Sequence, residues 1–527
     1  MIQTNRASHQ NPWLWFGPLL FMIVVGAYFV FRYQGHWAET DSAVFTRVIR
    51  DVSQAGRLIP TEEGSLVYPN GYSFQAISAF IVAITGLEVR ALQQLVYPIL
   101  SALVILPAWI LYREVTGSGR GAVIATILLF MQPEFLFVIL RSSHEKFTRI
   151  LMFLCLFFLV RSFRLTHRPG LFATMIALFY LATYAFIASN SLLAHSFLFA
   201  IASTLGFVAL LNRFSSFKLQ QSHITARLAY VLIISIVLNY LFMFYLYPPV
   251  QHQFGVFTDT WSRLAALLFD VQADSVNPYT YVGGAWINLW VYFLVSIANW
   301  IILGASFMIW AVQGWRWLRY GRPPQGLTRQ FIWLLYAAFA LQGGLSIIVD
   351  LSGSLASNIQ HRIFPSFSIL AVAIVASALA DWRPQRHQRL VQWSSAAVIS
   401  IVVCLSVLKA TVEPAVGNKW MFYQPEEIIA LTWSENHLQQ TQLWIEYDER
   451  LSVAWATSID RSVQQNRMRV GVTEPTLPIR SFLLTDITRL RSSRLEQPLP
   501  IPYDAQRVYD NGSAELYRLR PRTPFQK

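Results

Sequence analysis

Long apolar runs alternate along this chain with short basic loops and a few longer polar ones. Runs fall near 13–31, 91–112, 121–140, 147–163, 170–188, 191–211, 228–247, 286–312, 330–349, 363–380 and 391–410. A helix needs roughly 20 apolar residues to cross a bilayer, so the pattern predicts about 11 membrane spans. The stretch 72–86 is shorter and carries Ser73, Gln75 and Ser78. Its length suits a helix lying on the membrane surface, inside a long first loop over 32–90.

Loop charge tests that assignment. With the N-terminus in the cytoplasm, the inner loops become Arg113–Arg120, Arg161–Arg168, Arg213–Arg227, Arg316–Arg329 and Arg383–Arg389, all rich in arginine. This is a positive-inside pattern, and a full span at 72–86 would invert all of these loops. The outer side then carries 32–90, Arg141–Lys146, 248–285, Asp350–Arg362 and the tail from Thr411.

The tail changes pattern. Short apolar runs at Gln442–Tyr447, Arg467–Val472 and Phe482–Thr485 predict strands, and Asp510-Asn511-Gly512-Ser513 is a hairpin signal. A helix over Pro425–His437 is expected before the first strand. The expected fold class is therefore an α-helical polytopic membrane protein with a small C-terminal external α/β domain. The expected division is a transmembrane domain over 1–410 and an external domain over 411–527.

Composition agrees. The 527 residues are 54% hydrophobic and only 13% charged, more apolar surface than a soluble fold can hide. The first run lacks a small-residue cleavage site, so it reads as a retained anchor. The net charge of +13 points to no nucleic acid, because the basic residues sit in the short loops between spans. Cys155 and Cys404 both fall inside predicted spans and imply no disulfide framework.

Charged residues at the outer span ends carry the candidate chemistry. Glu39-Thr40-Asp41 follows the first span directly. Two carboxylates held at a membrane surface suit a divalent cation or a general base, and Asp41 equally suits the cap of the following helix. His144-Glu145-Lys146 stands at the mouth of the third span, with Arg141 before it and Arg149 after it. It reads as a piece of a metal or acid–base site with Lys146 on a phosphate, or as a charged span boundary. His361-Arg362 opens the tenth span. An arginine there opposes both the inside bias and the helix dipole, so it calls for an anion, either a lipid phosphate or Asp350. In the loop 248–285, Asp259, Asp270 and Asp274 are not distinguishable from solvated loop residues. Asn190 and His195 suit polar contacts between packed helices. The chain has no Walker-type glycine loop, no CxxC, no nucleophile elbow and no HExxH.

This order of elements resembles the GT-C superfamily of membrane glycosyltransferases, most closely the catalytic subunits of oligosaccharyltransferases. Glu39-Thr40-Asp41 with Phe45, Arg47 and Ile49 is similar to the first-loop acidic motif and its helix. Gly71-Tyr72-Ser73-Phe74 is similar to the start of the interfacial helix, and Pro107 through Arg113-Glu114 to the end of the second span. His144-Glu145 stands where the second acidic motif is expected, and Glu427–Asn436 resembles the helix that opens the external domain. Two departures stand out. The second motif is His-Glu-Lys where the family has an Asp-x-Asp-like one. Trp444-Ile445-Glu446-Tyr447-Asp448 stands where the peptide-binding Trp-Trp-Asp-Tyr-Gly motif is expected.

The resemblance implies a multi-pass enzyme of the cell membrane, with a cytoplasmic N-terminus and an extracytoplasmic C-terminal domain. It would transfer a sugar or glycan from a polyprenyl-phosphate or diphosphate donor to a glycan, lipid or protein acceptor at the outer face. Asp41, Glu39 and Glu145 would be catalytic. Arg362, His361 and Lys146 would hold the donor phosphate. Asp41, His144 and Glu145 would hold Mg²⁺ or Mn²⁺, if a cation takes part. A lipid-linked glycan flippase and a non-catalytic membrane scaffold are the rival readings. The flippase would need charges in mid-span, and the spans are nearly free of them.

Overall fold

The computed structural model describes residues 12–33, 40–62, 65–165, 167–213, 222–269, 288–352, 359–381, 388–411, 424–438, 443–445, 451, 468–470, 481–495, 499, 501 and 505–518. Among them, nine helices are long and apolar enough to cross a membrane, or ten if one bent pair is a single span. The nine begin with α1 (Phe16–Tyr33), extended at its start by a short turn from Trp13, and α4 (Val89–Thr116). They continue with α8 (Pro169–Ser189), α9 (Ser191–Arg213) and α10 (Ser222–Leu241). The last four are α13 (Ile297–Tyr320), α14 (Leu327–Leu351), α15 (Ile359–Asp381) and α16 (Gln388–Ala410). A further helix, α7 (Glu145–Arg164), has the length of a span. Its first turns carry Glu145, Lys146 and Arg149, and its last turn carries Arg161 and Arg164. At that far end Glu114 pairs with both arginines, at 3.1 and 3.0 Å.

Between the spans lie shorter helices. The first loop holds α2 (Thr40–Ala55) and α3 (Ser73–Thr85), and α3 at 13 residues is too short to cross. The apolar run over 121–140 is not one straight span. It divides into α5 (Gly119–Phe130) and α6 (Pro133–Leu140), bent by 82°. Pro133 is the reason: it has no N–H to donate, and its ring clashes with the carbonyl four residues back, so it starts a new helix instead of continuing the old one. Similarly, the run 286–312 resolves into α12 (Leu289–Val295), a break at Ser296, and the span α13. The polar stretch 248–285 holds α11 (His252–Phe269).

The C-terminal region is a small α/β unit. α17 (Pro425–His437) opens it with a capping box between Gln424 and Glu427. Five strands follow: β1 (Leu443–Ile445), β2 (Met468–Val470), β3 (Ser481–Thr485), β4 (Gln506–Asp510) and β5 (Ala514–Arg518), with α18 (Asp486–Leu495) after β3. Their order is β2-β1-β3-β5-β4. β1 runs parallel to β2 and β3, while β5 is antiparallel to β3 and β4. The β4–β5 turn places Gly512 at φ 93°, as the hairpin signal requires. β3 is buried along its whole length, and Leu483 and Leu516 pack with Ala430 and Leu431 of α17.

Two close contacts fix the elements around the site. Backbone zips the segment 70–72 to the break between α8 and α9: Tyr72 N donates to Ala188 O at 2.7 Å, and Ser191 N donates to Asn70 O at 2.8 Å. A Cβ on Gly71 would lie 2.5 Å from Ala188 O, so only glycine fits there. Gly71→Ala should cost about 1–3 kcal/mol of stability, read as a lower thermal midpoint of the purified protein. Gln93 of α4 makes the second contact: its side-chain amide oxygen accepts from Thr46 N of α2 at 3.0 Å and its amide nitrogen donates to Ser142 O at 3.0 Å, while its backbone carbonyl accepts from Ser142 Oγ.

Candidate active site

Four elements bring charged side chains to one end of the bundle. They are the start of α2, the turn Arg141–His144, the first turns of α7 and the first turns of α15. The turn exists because the Pro133 bend sends α6 off at an angle, and the chain must reverse before α7 can enter the bundle. An aromatic cluster supports it: Phe45 packs edge-on to Phe74 and Tyr68, and Phe74 to Phe147.

Arg141 is the hub. It is buried, with its guanidinium over the Phe137 ring, and it reaches two carboxylates. One nitrogen lies 3.4 Å from Asp41 and the other 2.8 Å from Glu145. Asp41 keeps 44% of its side-chain surface exposed, whereas Glu145 keeps 9%. Asp41 is thus the carboxylate of the pair that is open to solvent. Burial alone would raise the Glu145 carboxyl, but Arg141, Arg149, His144 and Arg362 outweigh it and hold the group below the usual carboxylate range.

His144 faces the protein interior. Its Nε2 accepts from Asn190 Nδ2 at 2.5 Å and lies 3.0 Å from the Tyr68 hydroxyl. Burial pushes its pKa down to about 3 against the pull of Glu145, and Arg141, Arg362 and Arg149 act in the same direction as burial. The folded imidazole therefore stays neutral where an unfolded one protonates. The unfolded state binds the extra proton, so stability falls as pH drops from about 6.5 toward 3. His144→Gln should flatten that dependence, read from thermal midpoints between pH 4 and 7.

Lys146 is buried, and among the described residues its ammonium nitrogen has no hydrogen-bond partner. It lies 5.3 Å from the centre of the Tyr97 ring. Burial, seconded by Arg141, brings its pKa down to about 7. Arg149 is fully buried and ties α7 to α15, donating to Ser366 Oγ and, at 3.1 Å, to the carbonyl of Arg362. The Arg362 side chain is exposed beyond it. Asp350 makes no ion pair with Arg362; its carboxylate accepts from Ile359 N at 2.8 Å and Gln360 N at 3.0 Å, capping α15.

The structure thus brings together Asp41, Arg141 and Glu145, sets His144 and Lys146 beside them, and links Arg362 to them through Arg149. Glu39 lies outside the described residues, as do Asp270 and Asp274. His361 is exposed on the first turn of α15. Asp259 pairs with Arg263 on α11 at 2.9 Å, and His195 meets Asn239 Nδ2 at 2.7 Å. Asp41, His144 and Glu145 do not form a three-ligand set. Arg141 stands against both carboxylates, and the His144 Nε2 is turned to Asn190 and Tyr68. Among the described residues no group of three or more His, Cys, Asp or Glu side chains is placed to hold a metal. Sequence reasoning missed Arg141 as a hub and Arg149 as a link, and gave no role to Tyr68. The residues Pro69-Asn70-Gly71, a turn sequence directly after Tyr68, are the local signal that could have drawn notice to it.

No protein-family model matches the chain, and no curated protein matches it in sequence. Solved structures do match. ArnT from Cupriavidus metallidurans bound to undecaprenyl phosphate is similar at a TM-score of 0.53 and 12% identity, over 96% of this chain and 98% of that one. The Archaeoglobus fulgidus oligosaccharyltransferase, tethered with an acceptor peptide containing the NVT sequon, is similar at 0.52 and 12% identity. That match covers 93% of this chain and 72% of the other. The chain shares the overall fold of these two structures. With nine helices among the described residues long and apolar enough to cross a membrane, it is a multi-pass membrane protein.

Proposed function

We propose that this protein is a membrane glycosyltransferase. It moves a sugar or glycan from a polyprenyl-phosphate or diphosphate donor to an acceptor at the outer membrane face. The observation that carries the reading is an exposed carboxylate, Asp41, at the same end of the bundle as two cations, Lys146 and Arg362, that pair with no carboxylate among the described residues. Among the described residues Lys146 has no hydrogen-bond partner and no carboxylate pairs with Arg362. Both of these GT-C-fold structures support it, one by its bound undecaprenyl phosphate and one by its acceptor peptide. The acceptor here is a glycan, a lipid or a protein.

In this reading Asp41 takes the proton from the acceptor nucleophile as that atom bonds to the anomeric carbon. The bond from that carbon to the donor phosphate oxygen breaks, and its electron pair leaves with the phosphate. Arg362 and Lys146 face the negative charge that builds there. Glu145 keeps Arg141 in place, and Arg141 sets the angle of Asp41. This residue set does not fit a resident Mg²⁺ or Mn²⁺, so no step runs through one. The arginine-rich loops support a cytoplasmic N-terminus, a site at the outer face, and an external domain over 411–527 that follows the transmembrane domain.

The test offers the purified protein a set of short-chain polyprenyl-phosphate and diphosphate sugars, with and without EDTA. The expected result is donor consumption that falls about 100-fold in Arg362→Gln, the scale of losing one charge-stabilising donor. If no donor of either class is consumed, the transferase reading fails and a flippase or scaffold takes its place.

A further inference from the structure

The helix α11 divides its surface into three sectors. At 100° per residue, Phe254, Phe257 and Trp261 fall within about 60° of one another. Their side chains are open, Phe257 at 68% and Trp261 at 67%. Next to them Gln253, Val256, Thr260 and Leu264 turn half-buried toward the protein. The remaining arc is exposed and polar: Thr258, Asp259, Ser262 and Arg263, with Asp259 and Arg263 paired at 2.9 Å. A helix fully in water has no use for an open aromatic stripe, and a helix buried in the bundle has no use for an open ion pair. One sector on protein, one apolar and one wet is the signature of a helix lying at a membrane interface.

The apolar sector also joins the open apolar face of a neighbouring span. The span formed by α10 and the turn that follows it, Arg227–Leu246, has only 28% of its apolar window buried, so most of it meets acyl chains. Its open face runs through Ile233, Val237 and Tyr240 to Phe244. The Phe244 ring packs on Phe254 at 5.7 Å, which carries that face onto α11 without a break. Aromatic side chains at such a boundary place their rings at headgroup depth. On its protein side, Gln253 donates to Asn70 Oδ1 at 2.9 Å and to Ser191 Oγ at 2.6 Å, next to the Tyr68–His144–Asn190 contact.

We infer that α11 is a membrane-docking helix: its partner is the lipid surface of the leaflet at the site end of the bundle, with Phe254, Phe257 and Trp261 inserted. This reading goes beyond the transferase proposal and does not depend on it. Membrane seating would hold Gln253 in register against the segment 70–72, and so support the wall of the site.

The test places an environment-sensitive fluorophore on single cysteines in a Cys155→Ser, Cys404→Ser background. The positions are Phe257→Cys, Trp261→Cys and Asp259→Cys, each in the full chain in phosphatidylcholine nanodiscs. Lipid carrying a nitroxide near the headgroup should quench positions 257 and 261 about twofold or more, while iodide in the water quenches 259. Iodide quenching at 257 and 261 equal to that at 259 would put the stripe in water and overturn the inference. Protection from both quenchers would also overturn it, because protein then covers the stripe, either another segment of this chain or a second copy. The two apolar positions are read independently, so the loss of one variant to misfolding leaves the test intact.

Discussion

Asp41→Asn should abolish sugar transfer, lowering kcat by about 10²–10⁴-fold, the usual weight of a positioned general base. Asparagine is the informative replacement because it separates two roles for the same residue. Asp41 sits in the first turn of α2, where a carboxylate also favours the helix dipole. Asparagine is close to aspartate as a helix-start residue, so the variant gives up only about 0.3–1 kcal/mol of dipole interaction. What it cannot do is accept a proton. A cap therefore predicts nearly full activity in Asp41→Asn, and a base predicts almost none. The partner Arg141 sharpens the contrast, since it is buried and shared with Glu145. Losing the Asp41 charge leaves Arg141 still paired with Glu145, so the site should keep its shape. The check is transfer from a polyprenyl-linked donor beside a thermal midpoint of the same sample. A variant with an unchanged midpoint and undiminished transfer would end the case for Asp41 as the base.

What the sequence showed and what it hid divide along contact range. Apolar runs report local burial, so most spans were legible, as were the helix Pro425–His437 and the turn at Asn511-Gly512. The bend at Pro133 was written in the sequence but masked by the apolar residues on both sides. At the site, Asp41, His144, Glu145, Lys146 and Arg362 were visible as charges at span ends. Their roles were not, because these depend on neighbours far away in sequence. Nothing near His144 announces that Asn190 and Tyr68 take its Nε2, or that burial removes its titration from the neutral range. Similarly, Arg149 looked like one more charged residue until its bonds to Ser366 and Arg362 made it the link to α15. The reading of Arg362 as a cation in need of an anion came from two opposed local preferences, and the use of Asp350 as a helix cap left that need unmet.

Lys146→Met should make the protein more stable and much less active. A buried amine with no hydrogen-bond partner is a cost to folding, and burial has brought its pKa down to about 7. In the unfolded chain the same amine titrates near its ordinary value, far higher. Between those two values the unfolded state holds a proton the folded state lacks, so wild-type stability rises with pH across that range. Below about pH 7 the folded site carries the full charge, and the cost is complete. Methionine fills a similar volume without a donor, so the gain should be about 1–3 kcal/mol and should be larger at pH 6 than at pH 9. Activity moves the other way. An anionic donor restores the charge on Lys146 when it binds, so binding takes up a proton above neutral pH. The KM for the donor should therefore rise from pH 7 to pH 9 in the wild type and stay flat in Lys146→Met. Because charge on the leaving phosphate grows toward the transition state, kcat should fall further than affinity, by about 10²–10³-fold. Thermal midpoints at the two pH values and donor kinetics on the same preparations check both halves. A variant that is less stable and still active would mean that Lys146 is a packing residue, and that the phosphate is held by Arg362 without it.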